Sequence, residues 1–294
     1  MLIAVLGGCG DEAAGGGAPA SERPPSDRLV DFSKDPPYVN TFDVDPATGD
    51  YLLTTNRGFW RIDPATDEVT QMRGTITAGR RSSTVGTFLE LHVTGPGRLL
   101  GSGHPDSEDD GLPPFLGLIA SDDGGESWRA VSRLGDADLH KIVLKHDRMY
   151  AFDAVLGALL VSTDGGRTFT EHFTPRQLVI DFEVDPHDPE RIFASTDEEL
   201  LRSEDGGEGW RAVDRAEGIR LAWPAPDAFY RAERDGSVAR SRDGGDSWEP
   251  VGSVPGEPYE FRAQGPEELL LALSDGTVVE TRDGGRSWTE AFQP

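Results

Sequence analysis

The sequence lacks the cysteines that a disulfide framework would need, because its 294 residues include only Cys9. A single cysteine excludes an intramolecular disulfide and any zinc site built on several thiolates. Basic residues are scarce as well: 28 Lys and Arg stand against 53 Asp and Glu, a formal net charge of −25. Such an acidic surface repels phosphate backbones, so we expect no nucleic-acid partner.

Long apolar runs are also missing, since no stretch approaches the roughly 18 apolar residues of a membrane span. The opening run Met1 to Gly8 ends in small residues before Cys9 and resembles the bacterial lipobox. We therefore interpret residues 1–8 as a truncated lipoprotein signal whose true start lies upstream, with Cys9 lipidated. Residues 9–37 have the composition of a flexible linker. The alternative is an unmodified cysteine in a cytoplasmic protein.

The main signal is an internal repeat, S/T-x-D-x-G-x-x-W/F, which occurs five times at successive spacings of 41, 41, 38 and 40 residues. Ser and Asp side chains accept hydrogen bonds from backbone amides within their own turn, and glycine tolerates the positive φ of tight hairpins. The aromatic residue then begins the next strand. The five copies begin at Ser121, Ser162, Ser203, Ser241 and Thr281.

Around each copy the sequence alternates as four short strands, and four strands in about 40 residues is the blade unit of a propeller. One more unit with the same rhythm, at about residues 38–75, precedes the first copy. The sequence therefore predicts an all-β, six-bladed β-propeller with four-stranded antiparallel blades over residues 38–294. The ring is expected to close by packing of the first and last blades, or through an extra strand at 28–32.

These residues resemble the BNR or Asp-box repeat proteins, which include sialidases. The chain looks closer still to bacterial lipoproteins of the glycosylhydrolase-like kind, through residues 102–106, 116–118 and 135–140. The resemblance covers about residues 38–294. It implies that the Asp-box hairpins are structural and lie on the face opposite the ligand site. Activity does not follow from the fold.

Sialidase chemistry needs several arginines around a carboxylate, a tyrosine nucleophile and acidic partners. The nearest counterpart of the sialidase arginine motif is at residues 60–64, where Asp63 interrupts it. Tyr259 and Glu260 adjoin Arg262, but strand alternation sends Tyr259 and Glu260 to opposite faces. The sequence thus favours a non-catalytic binding or assembly module for a protein or glycan. A sialidase-like glycoside hydrolase is the alternative.

A ligand site is expected on the face opposite the Asp boxes, where connections join strand two to three and one blade to the next. The second blade carries an insertion at residues 104–114 on that side. Two histidines with nearby carboxylates could bind a divalent metal or a polar ligand, and no other cofactor is expected. The alternative is that His104 merely ends a strand and His140 packs within one. The predicted mouth consists of Arg57, His104, Asp106, Asp138, His140 and Asp153.

The predictions for the cellular setting follow from the same features. We expect a monomer outside the cytoplasm, held at the membrane through the lipid on Cys9 alone. Its ligand would approach the face away from the Asp boxes.

Overall fold

The computed structural model describes residues 39–293, except 56–57, 67, 73, 107–110, 173–174 and 176. The predicted signal remnant at 1–8, Cys9, the linker at 9–37 and Arg57 lie outside the described residues. All regular secondary structure in the described part is β-strand. Within it, no helix has the length and apolarity that crossing a membrane would require.

The first sheet is a four-stranded antiparallel meander in which each strand pairs with the next along the chain. Its second strand is buried along its whole length, as expected for a sheet packed on both sides. Its strands are β1 (Val39–Val44), β2 (Tyr51–Thr55), β3 (Gly58–Asp63) and β4 (Glu68–Met72).

The second sheet has five strands and closes on itself. Its strands are β5 (Thr75–Ala78), β6 (Arg81–Gly95), β7 (Arg98–Pro105), β8 (Leu118–Ser121) and β9 (Ser127–Ser132). Strand β5 pairs antiparallel with the start of β6 and parallel with β9. A short hairpin at Gly79 therefore adds the strand that closes this sheet, which the sequence did not predict.

The remaining four sheets repeat the simple meander of the first. The third contains β10 (Leu139–Lys145), β11 (Arg148–Asp153), β12 (Ala158–Ser162) and β13 (Thr170–His172). The fourth contains β14 (Val179–Val184), β15 (Ile192–Thr196), β16 (Leu200–Ser203) and β17 (Arg211–Asp214). The fifth contains β18 (Arg220–Ala225), β19 (Ala228–Ala232), β20 (Ser237–Ser241) and β21 (Glu249–Ser253). The last contains β22 (Pro258–Ala263), β23 (Leu269–Leu273), β24 (Val278–Thr281) and β25 (Thr289–Phe292).

The prediction of six four-stranded blades is wrong in its count, because five sheets have that form and the second does not. Each sheet nevertheless contributes one innermost strand, which is β6 in the second sheet and the first strand in the others. These strands contact one another around a ring, in the order β1, β6, β10, β14, β18, β22 and back to β1. Apolar side chains of the first sheet, including Val39 and Trp60, share one core cluster with Leu270 and Phe292 of the last. Within the described residues, the ring therefore closes by side-chain packing of its first and last sheets, and the alternative strand at 28–32 lies outside them.

The five repeat hairpins, which join the last two strands of their sheets, have the hydrogen bonds expected from the sequence. In the first of them, Ser121 Oγ donates to Asp123 Oδ1 at 2.7 Å and accepts from Gly125 N at 2.9 Å. Asp123 also accepts from the amide of Ser127 at 2.9 Å. Gly125 has a φ of 96° and a Cβ there would lie 2.4 Å from a ring carbon of Phe59. Glycine is therefore required at this position.

Consecutive strands of each four-stranded sheet run in opposite directions, so their connections lie on two faces of the ring. The hairpin face bears the repeat hairpins and the turns from strand one to strand two. The connection face bears the loops from strand two to strand three and the links between sheets. A central channel, lined by the six innermost strands, runs between the two faces.

Candidate functional site

Four of the predicted site residues meet on the connection face. His104 lies near the end of β7 and Asp153 ends β11, while Asp138 and His140 flank the start of β10. The Nε2 of His104 is 3.6 Å from Asp138 Oδ1, and the Nε2 of His140 is 3.1 Å from Asp138 Oδ2. Two imidazoles from different sheets therefore lie against the same carboxylate.

The imidazole of His104 is held in place from its other side. Its Nδ1 is 2.8 Å from the carbonyl oxygen of Pro114, within the insertion at residues 104–114. The ring of Phe115 lies 5.6 Å away, centroid to centroid. Pro114 thus orients His104, and a third of the His104 side chain is exposed.

Asp153 supports this cluster from within the fold. Its side chain is fully buried, and its Oδ1 accepts hydrogen bonds from the amides of Asp138 at 3.2 Å and Val155 at 3.0 Å. Its Oδ2 is 3.8 Å from the guanidinium of Arg133. Asp153 therefore fixes the backbone that presents Asp138 and is not itself accessible. Asp106 is exposed, and its amide donates to the carbonyl of Thr84.

Buried charged side chains on the innermost strands lie in the channel between the two faces. The Nζ of Lys141 lies 2.9 Å from Asp181 Oδ1 and 3.5 Å from Glu260 Oε1. Arg262 contacts Glu260 at 3.0 Å and Glu90 at 2.5 Å. These bonds link β6, β10, β14 and β22 across the axis, so the network closes the channel.

The network holds one carboxyl more than its cations can balance. Lys141 and Arg262 face three acids, of which Glu90 and Asp181 are each 1% exposed and Glu260 is 6% exposed. Burial raises the pKa of Glu90 to about 7, because the loss of water outweighs the attraction of Arg262. Its burial and its ion pair keep this carboxyl away from any substrate.

The cavities lie on the hairpin face, away from the predicted mouth. One, of about 150 Å³, opens at the ends of the first strands between Asp43, His92, Trp223 and Arg262. Burial lowers the pKa of His92 to about 4, so its imidazole is neutral at pH 7. Another, of about 270 Å³, lies against the last sheet near Glu280. Both are smaller than the roughly 300–1,000 Å³ of ordinary small-molecule sites.

The connection face instead exposes apolar side chains. Val155 and Leu156 form the tip of the loop between β11 and β12, each about half exposed, and Leu178 on the link to β14 is 62% exposed. These three residues, here called the apolar patch, belong to neighbouring sheets. In the described part of the chain, the other exposed large hydrophobic side chain is that of Val69 on β4, at 38%.

Exposed acids outnumber exposed bases on the connection face of the fourth to last sheets. Arg215 and Arg234 are the exposed arginines on the described links and loops of the fourth to last sheets. The exposed acids on those links and loops are Asp197, Glu198, Glu217, Asp235, Glu257 and Asp275. The face therefore has a negative potential that favours basic ligands.

Sequence reasoning missed the channel network. Lys141 and Asp181 are each the third residue of a largely apolar strand and lie 40 residues apart in the sequence. A charge that recurs with the repeat period inside a buried strand is the signal that could have revealed it, since such a charge needs a partner. The prediction that Tyr259 and Glu260 face apart fits the structure: Glu260 enters the network and the ring of Tyr259 stacks on Arg220.

Solved structures with the same ring of sheets include YCF48 from Cyanidioschyzon merolae, with a TM-score of 0.55, 13% identity, and coverage of 83% of this chain and 95% of that one. YCF48 bound to D1 peptide gives the same TM-score and identity, over 84% and 94% of the chains. The chain is a β-propeller. The similarity covers most of this chain and nearly all of YCF48. At 13% identity it establishes the fold alone.

Two larger proteins contain a similar propeller. PorZ, an essential bacterial surface component of the type-IX secretion system of Porphyromonas gingivalis, matches with a TM-score of 0.53 and 14% identity, over 87% of this chain and 32% of PorZ. An ancestral GH74 enzyme matches with a TM-score of 0.52 and 16% identity, over 83% and 36% of the two chains. This propeller thus spans about a third of each. No family model matches the sequence, and no curated protein does either.

Proposed function

We propose that this propeller is a non-catalytic module that binds a partner polypeptide through its connection face. The observation that carries the proposal is the apolar patch, formed by Val155, Leu156 and Leu178. Isolated exposed hydrophobics are ordinary, but a group rimmed by charges is typical of a protein-binding surface. The similar propeller of YCF48 has been solved with a bound peptide, which supports the same use of the fold here.

The partner segment is expected to combine apolar and basic side chains. The apolar residues would cover the patch, and the basic ones would meet the acids around it. This choice follows from the chain's net charge of −25 and from the exposed acids on the same face. A glycan ligand, by contrast, would be expected to contact exposed aromatic rings, and the described apolar patch has none.

The hydrolase alternative has less support. A glycosidase needs two accessible carboxyls about 5–10 Å apart beside a substrate-sized cleft. The carboxyl whose pKa is raised, that of Glu90, is sealed in the channel by Arg262. Both described cavities fall below the usual volume of a ligand site.

Charging the apolar patch should abolish partner binding. We expect peptides selected on the purified protein from a displayed random library to carry basic and apolar residues. A Val155→Asp/Leu156→Asp/Leu178→Asp variant should bind them at least about ten-fold more weakly, because the contact is lost and like charge is added. Affinities by fluorescence anisotropy check this.

Val69→Asp is the matched control, because it charges an exposed apolar residue on β4, outside the connection face. It should bind the peptides as the wild type does. Equal binding by the triple variant, selection of glycans but no peptides on parallel arrays, or release of sugar from a glycan would each contradict the proposal.

The proposed location is outside the cytoplasm, with the propeller tethered through Cys9. The support is the lipobox-like run before Cys9 and the linker composition after it. When expressed with its upstream region, the wild type should incorporate a clickable fatty acid and remain with the membrane fraction. Cys9→Ser should remove the label and release the protein. Equal labelling or equal fractionation of the two forms would disprove the anchor.

A further inference from the structure

His104 and Asp138 present an unsatisfied pair of acceptors on the connection face. The carbonyl oxygen of Pro114 can only accept, so the Nδ1 of His104, 2.8 Å away, must carry the proton of the neutral ring. The Nε2 then holds a bare lone pair. It lies 3.6 Å from Asp138 Oδ1, which is also an acceptor.

The oxygen opposite His104 is buried and has no hydrogen-bond partner. Its sister oxygen, Oδ2, is within hydrogen-bond distance of His140 Nε2 at 3.1 Å. Buried carboxylate oxygens nearly always have a partner, and two acceptors that face each other repel. A cation between Nε2 and Oδ1 would satisfy both.

We propose that His104 Nε2 and Asp138 Oδ1 bind a divalent transition-metal ion of the zinc class. Nitrogen and oxygen ligands lie about 2.0–2.2 Å from zinc, which places two ligands of a tetrahedron about 3.4 Å apart. The observed 3.6 Å needs only a small movement. Imidazole and carboxylate together suit zinc better than the all-oxygen cations.

The surroundings match those of known metal sites. A ligating histidine usually donates its other N–H to a carbonyl or carboxylate, and here Pro114 is that acceptor. His140 acts as a positioning residue, because its hydrogen bond to Oδ2 turns the other oxygen of Asp138 toward His104. Asp153 fixes the amide of Asp138 from behind.

The proposed site has two protein ligands. Across the described residues, no group of three or more His, Cys, Asp or Glu side chains is arranged around one metal position. Because His104 is exposed by a third, the ion's remaining positions face solvent at the mouth. Water or a donor from a bound partner would complete them, and binding by this chain alone should be weak.

Zinc titration by calorimetry tests the site, in a Cys9→Ser background that removes the competing thiol. The parent should bind one zinc ion, while His104→Ala and Asp138→Asn should each weaken binding by at least about ten-fold. Cobalt absorption should report a nitrogen–oxygen site in the parent, and it should be lost in both variants. His187→Ala, an exposed histidine on the hairpin face, is the matched control and should bind as the parent does.

Equal zinc affinity of the parent and His104→Ala would overturn the proposal. So would the absence of any binding by the folded parent, in which case a proton bridges the pair and His104 is an imidazolium. Circular dichroism of each variant confirms folding, and Asp138→Asn preserves side-chain shape if His104→Ala is unstable. Peptide binding is also measured in EDTA. If the protein binds peptides there but binds no zinc, the metal site is refuted and the proposed function stands.

Discussion

Lys141→Met should destabilise the propeller by about 3–5 kcal/mol at pH 7. The substitution keeps the length of the side chain but removes the cation that lies 2.9 Å from Asp181 and 3.5 Å from Glu260. Both carboxylates are buried, so the variant leaves charges without a partner in the channel. Urea unfolding followed by tryptophan fluorescence measures the loss.

Glu90→Gln is the matched control, because it changes a charge in the same channel but removes the surplus acid. Its amide oxygen can still accept from Arg262, so stability at pH 7 should stay within about 1 kcal/mol of the wild type. The folded pKa of Glu90 is raised, to about 7, so the folded state keeps a proton that the unfolded chain releases. Wild-type stability should therefore fall as pH rises from about 4.5 to 7, and this part of the slope should vanish in the variant. A larger loss for Glu90→Gln than for Lys141→Met would refute the charge balance.

Trp128→Ala should cost about 3–5 kcal/mol, the range for a large buried aromatic. Trp128 is 3% exposed, its Nε1 donates to the carbonyl of Gly125 at 3.0 Å, and its ring lies 5.0 Å from that of Phe88. Removal leaves a cavity in the core of the closed sheet and frees the first repeat hairpin. Thermal and urea unfolding both report the change.

Trp210 occupies the equivalent position in a later hairpin and donates to Gly207 O at 3.1 Å. Its ring is only half-buried, in contrast to that of Trp128. Trp210→Ala should therefore lose less than Trp128→Ala, below about 3 kcal/mol. Equal losses at the two positions would mean that the hairpin bond, not burial, determines the cost.

The sequence predicted the strands and hairpins well because both are local. The spacing of Ser121, Asp123 and Gly125 defines a turn whose hydrogen bonds all lie within seven residues. Alternation of side chains then assigns strands on each side. The same reasoning failed at residues 75–84, where β5 pairs in parallel with β9, a partner about 50 residues away. A parallel partner at that distance leaves no local signal.

The candidate site was predictable in part, for a related reason. The repeat spacing assigned His104, Asp138 and His140 to one face, and the structure places both imidazoles against the same carboxylate. The buried role of Asp153 was not predictable, since its partners are backbone amides whose direction depends on the turn. The apolar patch was not predictable either. Leu178 directly precedes β14, and the sequence does not distinguish it from a buried leucine at the start of that strand.

The junction between the first and last sheets has a consequence for how such a protein could change over time. No described strand is shared across it, and the two sheets meet through side chains such as Trp60 and Leu270. Duplicating or deleting one unit of about 40 residues would therefore leave every strand pairing within the other units intact. The ring could gain or lose a unit by a single genetic event, after which the newly adjoining surfaces and the charged network across the channel would have to adapt.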